Sequence, residues 1–213
     1  MNRLFVSRFA AALMIGLSGC QTIVVPPAPR MADGVLQSDQ RSKELYLSVI
    51  AQLIDFEKYH AALAHLDEFD RLYGATELSH RLRGDAWLAL DNLANAEMEY
   101  AAIAGGTLSG YGSHGLGRVA AARGDWPSAL AYFEQAVRTR PTSPDFLNDF
   151  GCALYRLGRV DEAVFELKKA LELSPADKRV SGNLNAILAN GEGRFGVDGD
   201  VSLVLPARTI EAP

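Results

Sequence analysis

The sequence has few of the features on which disulfide-bonded, nucleic-acid-binding and sheet-containing proteins depend. It has two cysteines among 213 residues, and Cys20 ends an N-terminal apolar segment, so Cys152 has no internal disulfide partner unless Cys20 stays free. The net charge of -5 contains no basic surplus, which argues against binding to a phosphate backbone. Isoleucine and valine runs typical of strands are almost missing before residue 197, whereas alanine and leucine are abundant. The composition therefore favours an all-helical fold.

Residue groups with catalytic or metal-binding spacing are also missing from the sequence. No pair of histidines four residues apart encloses a glutamate, so no zinc-protease motif is present. The four histidines are His60, His65, His80 and His114, and we interpret them as packed or solvated side chains. We expect no catalytic residue, no metal site and no small-molecule substrate.

The run Gly110-Tyr-Gly-Ser-His-Gly115 matches the dinucleotide-binding pattern G-x-G-x-x-G. That pattern needs a preceding strand, and the residues before this run are predicted to be helical up to about Ala104. We therefore interpret the run as a turn that leads into a helix. We expect its glycines to loosen the start of that helix, because each glycine costs ~1 kcal/mol relative to alanine.

Residues 1–20 have the pattern of a secretory signal that ends in a lipid attachment site. Two arginines precede the apolar run Phe9–Leu17, which is too short to span a bilayer, since spanning takes ~20 residues. The run closes on Leu17-Ser-Gly-Cys20, which resembles the lipobox of bacterial lipoproteins. The resemblance implies that the signal peptide, residues 1–19, is removed and that Cys20 carries a covalent lipid. No other cofactor is expected.

The residue after Cys20 implies where such a lipoprotein would be located. Gln21 stands where an aspartate typically retains lipoproteins in the inner membrane. The resemblance therefore implies the outer membrane, with the protein facing the periplasm and held there by its lipid anchor. An ordinary signal peptide with a chance cysteine remains the alternative.

The segments on either side of the central region have the composition of linkers. Residues 20–42 contain Pro26, Pro27 and Pro29 and few apolar anchors, so we predict an extended, lipidated tether. Residues 191–213 begin with four glycines within nine residues, a density through which a helix cannot continue, and we predict a flexible tail. The strand-like run Val201–Leu205 would alternatively add to the sheet edge of a partner.

Between these segments an apolar pattern recurs with a period of about 34 residues. It is clearest in Pro144–Asp177, where two amphipathic segments flank Leu157-Gly158 and Pro175 ends the second segment. The register predicts repeats at about 43–76, 77–109, 110–143 and 144–177, followed by a capping helix at 178–190. Position 8 of the four repeats holds Ile50, Gly84, Gly117 and Gly151. Position 17 holds the apolar residues Tyr59, Leu93, Trp126 and Val160, and position 20 holds Ala62, Ala96, Ala129 and Ala163.

A small residue at position 8, alanine at positions 20 and 27, and proline at position 32 form the pattern of the tetratricopeptide (TPR) repeat, which this sequence resembles. The resemblance implies an all-α fold, a TPR superhelix of about four helix-turn-helix repeats with a C-terminal capping helix. The first repeat fits least well, because Ile50 replaces the small residue and Gly74 stands where proline is expected. One hairpin cannot bury its apolar face alone, and a stack of at least three supplies a continuous core.

The resemblance also implies a binding surface, because the first helix of each TPR hairpin lines a concave groove through positions 2, 5, 9, 12 and 13. Carried over to this sequence, these positions predict a partner-binding groove formed by Leu47, Ile54, Arg81, Asp85, Leu88, Tyr111, His114, Arg118, Asn148, Cys152, Tyr155 and Arg156. Cys152 is expected to line this groove or to be semi-buried. Tyrosine and arginine are typical anchors of interfaces, and the mixed set suits an amphipathic or extended peptide. A face that is merely solvated, or covered by the chain's own tail, remains the alternative.

A TPR array behind a lipobox and a proline-bearing tether resembles the TadD-like pilotins of Tad/Flp pilus systems. The resemblance implies a non-catalytic adaptor on the outer membrane. Its groove would bind a secretin or another pilus-assembly or secretion subunit and assist the targeting or multimerisation of that subunit. The alternative is a TPR lipoprotein scaffold that regulates peptidoglycan or other envelope enzymes. Nucleic acids are not expected partners in either case.

Overall fold

A computed structural model describes residues 31–191, and within this range the chain forms nine α-helices. They are α1 (Met31–Asp55), α2 (Tyr59–Tyr73), α3 (Glu77–Ala89), α4 (Leu93–Ile103), α5 (Ser109–Ala122), α6 (Trp126–Thr139), α7 (Pro144–Arg156), α8 (Val160–Leu173) and α9 (Lys178–Gly191). Consecutive helices pair into the hairpins α1/α2, α3/α4, α5/α6 and α7/α8, and α9 packs against α7 and α8. The prediction of an all-α superhelix of four repeats with a C-terminal capping helix is confirmed in this part of the chain.

The first helices of successive hairpins lie side by side. Direct contacts join α1 to α3, α3 to α5, α5 to α7 and α7 to α9. Each second helix contacts only the helices before and after it in the chain. A stack of this kind curves with its first helices on the concave side. We call the surface formed by α3, α5, α7 and α9 on that side the inner face.

The turn inside each hairpin occurs at the same position of the repeat. Glu57, Asp91, Gly124 and Gly158 stand at this position with φ of 59, 58, 78 and 77°. This left-handed backbone suits glycine, which has no Cβ to clash, and is uncommon for the two acidic residues. Each second helix begins two residues later, at the repeated apolar residues Tyr59, Leu93, Trp126 and Val160.

The two helices of a hairpin meet at the repeated small residues. Ala62, Ala96, Ala129 and Ala163 have no exposed surface. A Cβ added to Gly84 would lie 2.8 Å from the Tyr100 ring, one added to Gly117 would lie 2.6 Å from the Phe133 ring, and one added to Gly151 would lie 2.9 Å from Leu167. In the later three repeats, glycine at position 8 therefore makes room for the large side chain at position 24. The first repeat instead buries Ile50 completely at position 8.

The N-terminal boundary of the helical domain differs from the prediction. Residues 31–42 were predicted to be an extended tether, but α1 begins at Met31 and includes them. The prolines lie upstream, and residues 31–42 contain none, so nothing in this segment prevents helix. Pairs one turn apart then stabilise it, since Lys43 binds Asp39 at 2.8 Å and Gln40 binds Glu44 at 2.8 Å.

The prediction for the glycine-rich run Gly110–Gly115 was also wrong. The run lies inside α5, which begins at Ser109, and its glycines are buried instead of forming a loose start. A Cβ at Gly112 would lie 2.9 Å from the backbone of Ala104, and one at Gly115 would overlap the Tyr100 ring. The glycines therefore let α5 pack directly against α4, and this packing offsets their low helix propensity.

Several predictions concern residues outside the described range. The signal peptide at residues 1–19, the lipid on Cys20, the part of the tether at residues 20–30 and the tail at residues 192–213 lie there and stay predictions. Among the helices of residues 31–191, none combines the length and the apolar character that crossing a bilayer requires. The capping helix α9 buries Val180, Leu184 and Ile187 against α7 and α8.

Candidate functional site

Asp85 is the centre of a polar cluster on the inner face between α3 and α5. The Tyr100 hydroxyl donates to Asp85 Oδ1 at 2.7 Å, and Arg118 Nη1 donates to the same oxygen at 3.2 Å. Arg81 Nε lies 3.9 Å from the other carboxylate oxygen. Burial, together with the charge of Asp85, raises the pKa of Tyr100 well above its ordinary value, so this hydroxyl stays protonated and donates. The cluster joins side chains from α3, α4 and α5.

A second cluster connects α5 to α7. His114 Nε2 lies 2.9 Å from Asp149 Oδ2, and the imidazole stacks on Phe146 with 4.3 Å between ring centres. Asn148 Nδ2 donates to Asp149 Oδ1 at 3.0 Å. All four side chains are buried, so these bonds satisfy groups that would otherwise be unpaired away from water.

The same kind of contact continues from α7 to α9. Asn183 Nδ2 donates to Asn148 Oδ1 at 2.9 Å, and Arg179 forms an ion pair with Asp145 and a second one with Asp177 at 3.0 Å. We call the chain of polar contacts from Asp85 to Arg179 the polar ladder. It joins three first helices and the capping helix along the inner face.

Cys152 is fully buried at the end of this ladder, which corrects the expectation that it lines the groove or is semi-buried. Its Sγ lies 3.4 Å from Asn183 Nδ2. Burial first, and then the negative charge of Asp149, raise the pKa of the thiol, so it stays protonated. Cys152 is therefore part of the packing between α7 and α9.

Tyr111 is half-buried on the inner face and contacts two arginines, the buried Arg81 and the exposed Arg140. The Arg81 guanidinium carbon lies 4.1 Å from the centre of the Tyr111 ring, and that of Arg140 lies 4.7 Å from it. Both distances are in the range of cation–π contacts. Further along, the exposed Arg156 lies over the Trp126 ring at 5.1 Å, beside the half-buried Tyr155.

The structure separates the predicted groove residues by exposure. Leu47, Ile54, Arg81, His114, Asn148 and Cys152 are buried, Asp85, Leu88, Tyr111, Arg118 and Tyr155 are half-buried, and Arg156 is exposed. Leu47 and Ile54 lie in the core between the first two hairpins, apart from the polar ladder. Five of the others connect α3, α5 and α7, namely Arg81, Asp85, Tyr111, His114 and Arg118. Asn148 and Cys152 connect α7 to α9 through Asn183.

Sequence reasoning missed Arg140, Asp149, Arg179 and Asn183. Four contacts of the polar ladder join residues 33 to 35 positions apart, which is about one repeat. A search for polar pairs at that separation would have found these residues, because equivalent positions of neighbouring repeats lie side by side. Arg140 follows α6 and has no such signal.

Two depressions differ in what they can hold. A recess of ≈20 Å³ opens next to the polar ladder, which is room for a single water and not for an organic ligand. Its lining is Arg81, Asp85, Tyr100, Tyr111, His114, Gly115, Arg118, Ser143, Asp145 and Phe146. On the other side of the array, an open groove of ≈700 Å³ lies between α2 and α4 and includes the exposed Met98. Within the described residues, no group of three His, Cys, Asp or Glu side chains has metal-binding geometry.

A curved stack of helical hairpins defines the class of helical-repeat scaffolds. A model of the tetratricopeptide repeat matches residues 116–187. The chain is 32% identical over 174 residues to TPR repeat-containing protein PA4299 of Pseudomonas aeruginosa. The aligned residues make up 81% of this chain and 67% of that protein. The chain belongs to the TPR repeat protein family.

Solved structures with this fold include a MamA fragment from Desulfovibrio magneticus RS-1, with 17% identity, a TM-score of 0.56 and coverage of 70% of this chain and 85% of that one. Another is YrrB, a TPR protein with an unusual peptide-binding site, with 21% identity, a TM-score of 0.51 and coverage of 78% and 87%. At these identities the likeness shows the fold alone. TPR folds are typically non-catalytic scaffolds that bind other proteins.

Proposed function

We propose that the protein is a non-catalytic adaptor that holds a segment of a partner protein on its inner face. The observation that supports this best is the half-buried Tyr111 ring between Arg81 and Arg140. Tyrosine and arginine are enriched among the residues that contribute most to binding at interfaces. Arg140 and Arg156 are exposed at this face, so a peptide can reach both guanidinium groups.

The charges at this face favour a partner segment with carboxylate groups. Arginine presents planar donors that match a carboxylate, and it retains this ability while stacked on an aromatic ring. The polar ladder fixes the first helices relative to each other, which lowers the cost of ordering the site when a partner binds.

The proposed location is the outer membrane, facing the periplasm. It rests on the lipobox-like ending Leu17-Ser-Gly-Cys20, which supports a lipid on Cys20. Several acyl chains contribute ~0.8 kcal/mol per buried methylene, which is enough for stable anchoring. We propose that the partner is a secretin or another subunit of a Tad/Flp-type pilus or secretion system, and that binding assists its targeting or multimerisation.

The binding proposal is tested by affinity capture of the full-length chain from detergent-solubilised cells, followed by mass spectrometry. The test variant combines Arg140→Ala and Arg156→Ala, and the matched control is Arg138→Ala, an exposed arginine on α6 that pairs with Glu134. The double variant is expected to lose its partner while the control and the melting temperature stay unchanged. Equal capture by the double variant and the control would contradict a role for the inner face.

The identity of the partner and the lipid are tested separately. A secretin among the captured proteins, and loss of secretin multimers when the gene is deleted, would support the pilotin role. Capture of peptidoglycan enzymes with intact multimers would replace it with the scaffold of envelope enzymes. Incorporation of radiolabelled palmitate should occur in the unaltered chain and disappear in Cys20→Ser, and unchanged incorporation would contradict lipidation of Cys20.

A further inference from the structure

The groove between α2 and α4, which we call the outer groove, is long enough for a short stretch of polypeptide. Its lining residues on α2 run from His60 to Asp70, a distance of about 15 Å along the helix axis. About four to five extended residues span the same distance. The volume of ≈700 Å³ is also within the range of protein pockets that hold a ligand.

Apolar side chains line part of the outer groove. Leu63 of α2, Trp87 of α3 and Met98 of α4 contribute to this lining, and Met98 is 61% exposed. Methionine adapts its shape to what it contacts and is common at binding surfaces for this reason. The lining therefore offers contacts to apolar side chains of a partner.

The charged side chains that line the outer groove are mostly acidic. Asp67, Asp70 and Glu99 contribute three carboxylates, whereas Arg83 contributes one guanidinium. Arg83 contacts both Asp67 and Asp70, and Glu99 binds His80 at 2.7 Å. With histidine counted as neutral, negative charge is therefore in excess.

The charged residues around the outer groove leave this excess unchanged. Two ion pairs lie nearby, one between Glu68 and Arg71 and one between Glu97 and Arg123. Of the residues just before the two helices, Lys58 precedes α2 and Asp91 precedes α4, so their charges offset each other.

The later repeats have apolar side chains at the corresponding positions. Position 7 is Arg83 in the second repeat, but it is Leu116 in the third and Phe150 in the fourth, and both pack into apolar clusters. Position 28 is Asp70 in the first repeat, but Ala104 and Val137 in the next two. Charges taken out of water cost free energy unless they are paired. A charged lining in place of apolar packing is therefore expected where a surface serves binding.

We infer that the outer groove binds a segment of a partner protein in which a lysine or arginine stands beside apolar residues. The excess of carboxylates attracts the cation, and an indole ring such as that of Trp87 is the aromatic group that binds cations best. The exposed arginines of the inner face favour the opposite charge. The two surfaces thus select different partner segments, and binding at one does not require binding at the other.

Phage display of random peptides on the purified full-length chain tests this inference. Phage are selected on the unaltered chain and depleted on Met98→Lys, which places a cation in the outer groove. The remaining peptides are synthesised with a fluorescent label, and their dissociation constants are measured by fluorescence anisotropy. The expected peptides carry lysine or arginine beside leucine, isoleucine or phenylalanine, and Met98→Lys weakens their binding about tenfold or more.

The matched control is Phe165→Lys, because Phe165 stands at the same repeat position on α8 as Met98 does on α4 and is 65% exposed. Phe165→Lys should leave the dissociation constants unchanged, and so should the combined Arg140→Ala and Arg156→Ala variant of the inner face. Replacing the basic residue of the peptide by glutamine should weaken binding about tenfold.

Both lysine variants should keep the melting temperature of the unaltered chain, because both side chains are exposed. Three results would each overturn the inference. They are the absence of peptides that depend on Met98, Met98-dependent peptides without a basic residue, and equal weakening by Phe165→Lys.

Discussion

The first and the third repeats pack their helices in different ways. In the first, the large side chains Leu47, Ile50 and Ile54 of α1 meet Leu66 and Phe69 of α2 in an apolar cluster. In the third, α5 buries glycines at the equivalent helix contacts, and its backbone approaches the neighbouring helices directly. An apolar cluster of flexible side chains can adjust to a change in volume, whereas a contact with backbone cannot.

The two repeats also differ in their polar contacts. The third repeat takes part in the polar ladder on both sides, through Arg118 toward Asp85 and through His114 toward Asp149. The first repeat is joined to the second by Arg83, which binds Asp67 at 3.2 Å and Asp70 at 2.8 Å. Asp67 has 79% of its side chain exposed, so this ion pair contributes little, whereas the pair with Asp70 is partly buried, with 20% of the Asp70 side chain exposed. The third repeat, which we call the central repeat, is thus tightly specified by its contacts on both sides. The first repeat is more tolerant of changes in side-chain volume.

The largest expected effect comes from placing valine at a buried position of the third repeat, and valine at a buried position of the first repeat is the comparison. Gly115→Val places a branched side chain in the Tyr100 ring, and overpacking of this kind should lower the free energy of unfolding by about 3 kcal/mol or more. Ile50→Val removes one methylene from the first repeat and should lower it by only ~1 kcal/mol. Urea denaturation of the two variants measures both values.

The control for this comparison is a glycine that has room for a side chain. Gly182 lies in α9, and nothing lies within 4 Å of a Cβ added there. Gly182→Ala should therefore raise the free energy of unfolding by ~0.5–1 kcal/mol, because alanine is the better helix former. A Gly115→Val variant as stable as Gly182→Ala would mean that α5 does not need its glycine.

A smaller difference in the free energy of unfolding is expected between two tyrosine-to-phenylalanine variants, each of which removes one hydroxyl group. Tyr100→Phe deletes the buried donor to Asp85 and should cost about 2 kcal/mol, the range for a buried hydrogen bond to a charged group. Tyr46→Phe deletes an exposed contact of 3.2 Å with His65 Nδ1 and should stay within ~0.5 kcal/mol of the unaltered chain. Equal costs in the two variants, measured by thermal denaturation, would contradict a special role for the Asp85 cluster.

The smallest expected effect is a change in the pH dependence of the melting temperature. Glu77 accepts hydrogen bonds from Leu108 N at 2.6 Å, Thr107 Oγ1 at 2.8 Å and Thr107 N at 3.0 Å, and these bonds lower its pKa. A lowered pKa in the folded chain adds stability that is present above the unfolded value of ~4.3 and is lost as the pH falls through the folded value. In Glu77→Gln, the melting temperature should therefore fall less steeply on acidification below about pH 5. A profile parallel to that of the unaltered chain would refute this role of Glu77, and Glu172→Gln on α8 is the exposed control.

The sequence was sufficient to predict the fold because one signal recurs in it. Apolar and small residues at fixed positions of each repeat predict the four hairpins. The residues that share position 17, Tyr59, Leu93, Trp126 and Val160, begin the second helices in the structure. The buried glycines of α5 were misinterpreted, because glycine has a low helix propensity and its tertiary contact is invisible in a single sequence. The start of α1 was missed because Pro29 and its neighbours suggested an extended segment well beyond the last proline.

The candidate site was harder to predict than the fold. The groove positions of the family name residues on the correct helices, but they do not distinguish side chains that join repeats from side chains that face a partner. His114 and Asn148 lie in the polar ladder because their partners stand one repeat later, at Asp149 and Asn183. Arg140 contacts Tyr111 from the turn after α6, which no helix position indicates. Pair contacts between repeats decide the difference, and the groove positions of a single repeat do not contain them.

Amide hydrogen exchange of the full-length chain tests the contrast between the repeats most directly. The account predicts that the α5 amides exchange at least tenfold more slowly than those of α2, because α5 opens only when its contacts on both sides are lost. Both helices are internal to the described range, so the comparison does not depend on chain ends. Protection of α2 equal to or greater than that of α5 would contradict the claim that the glycine contacts and the polar ladder make the central repeat the most constrained part of the array.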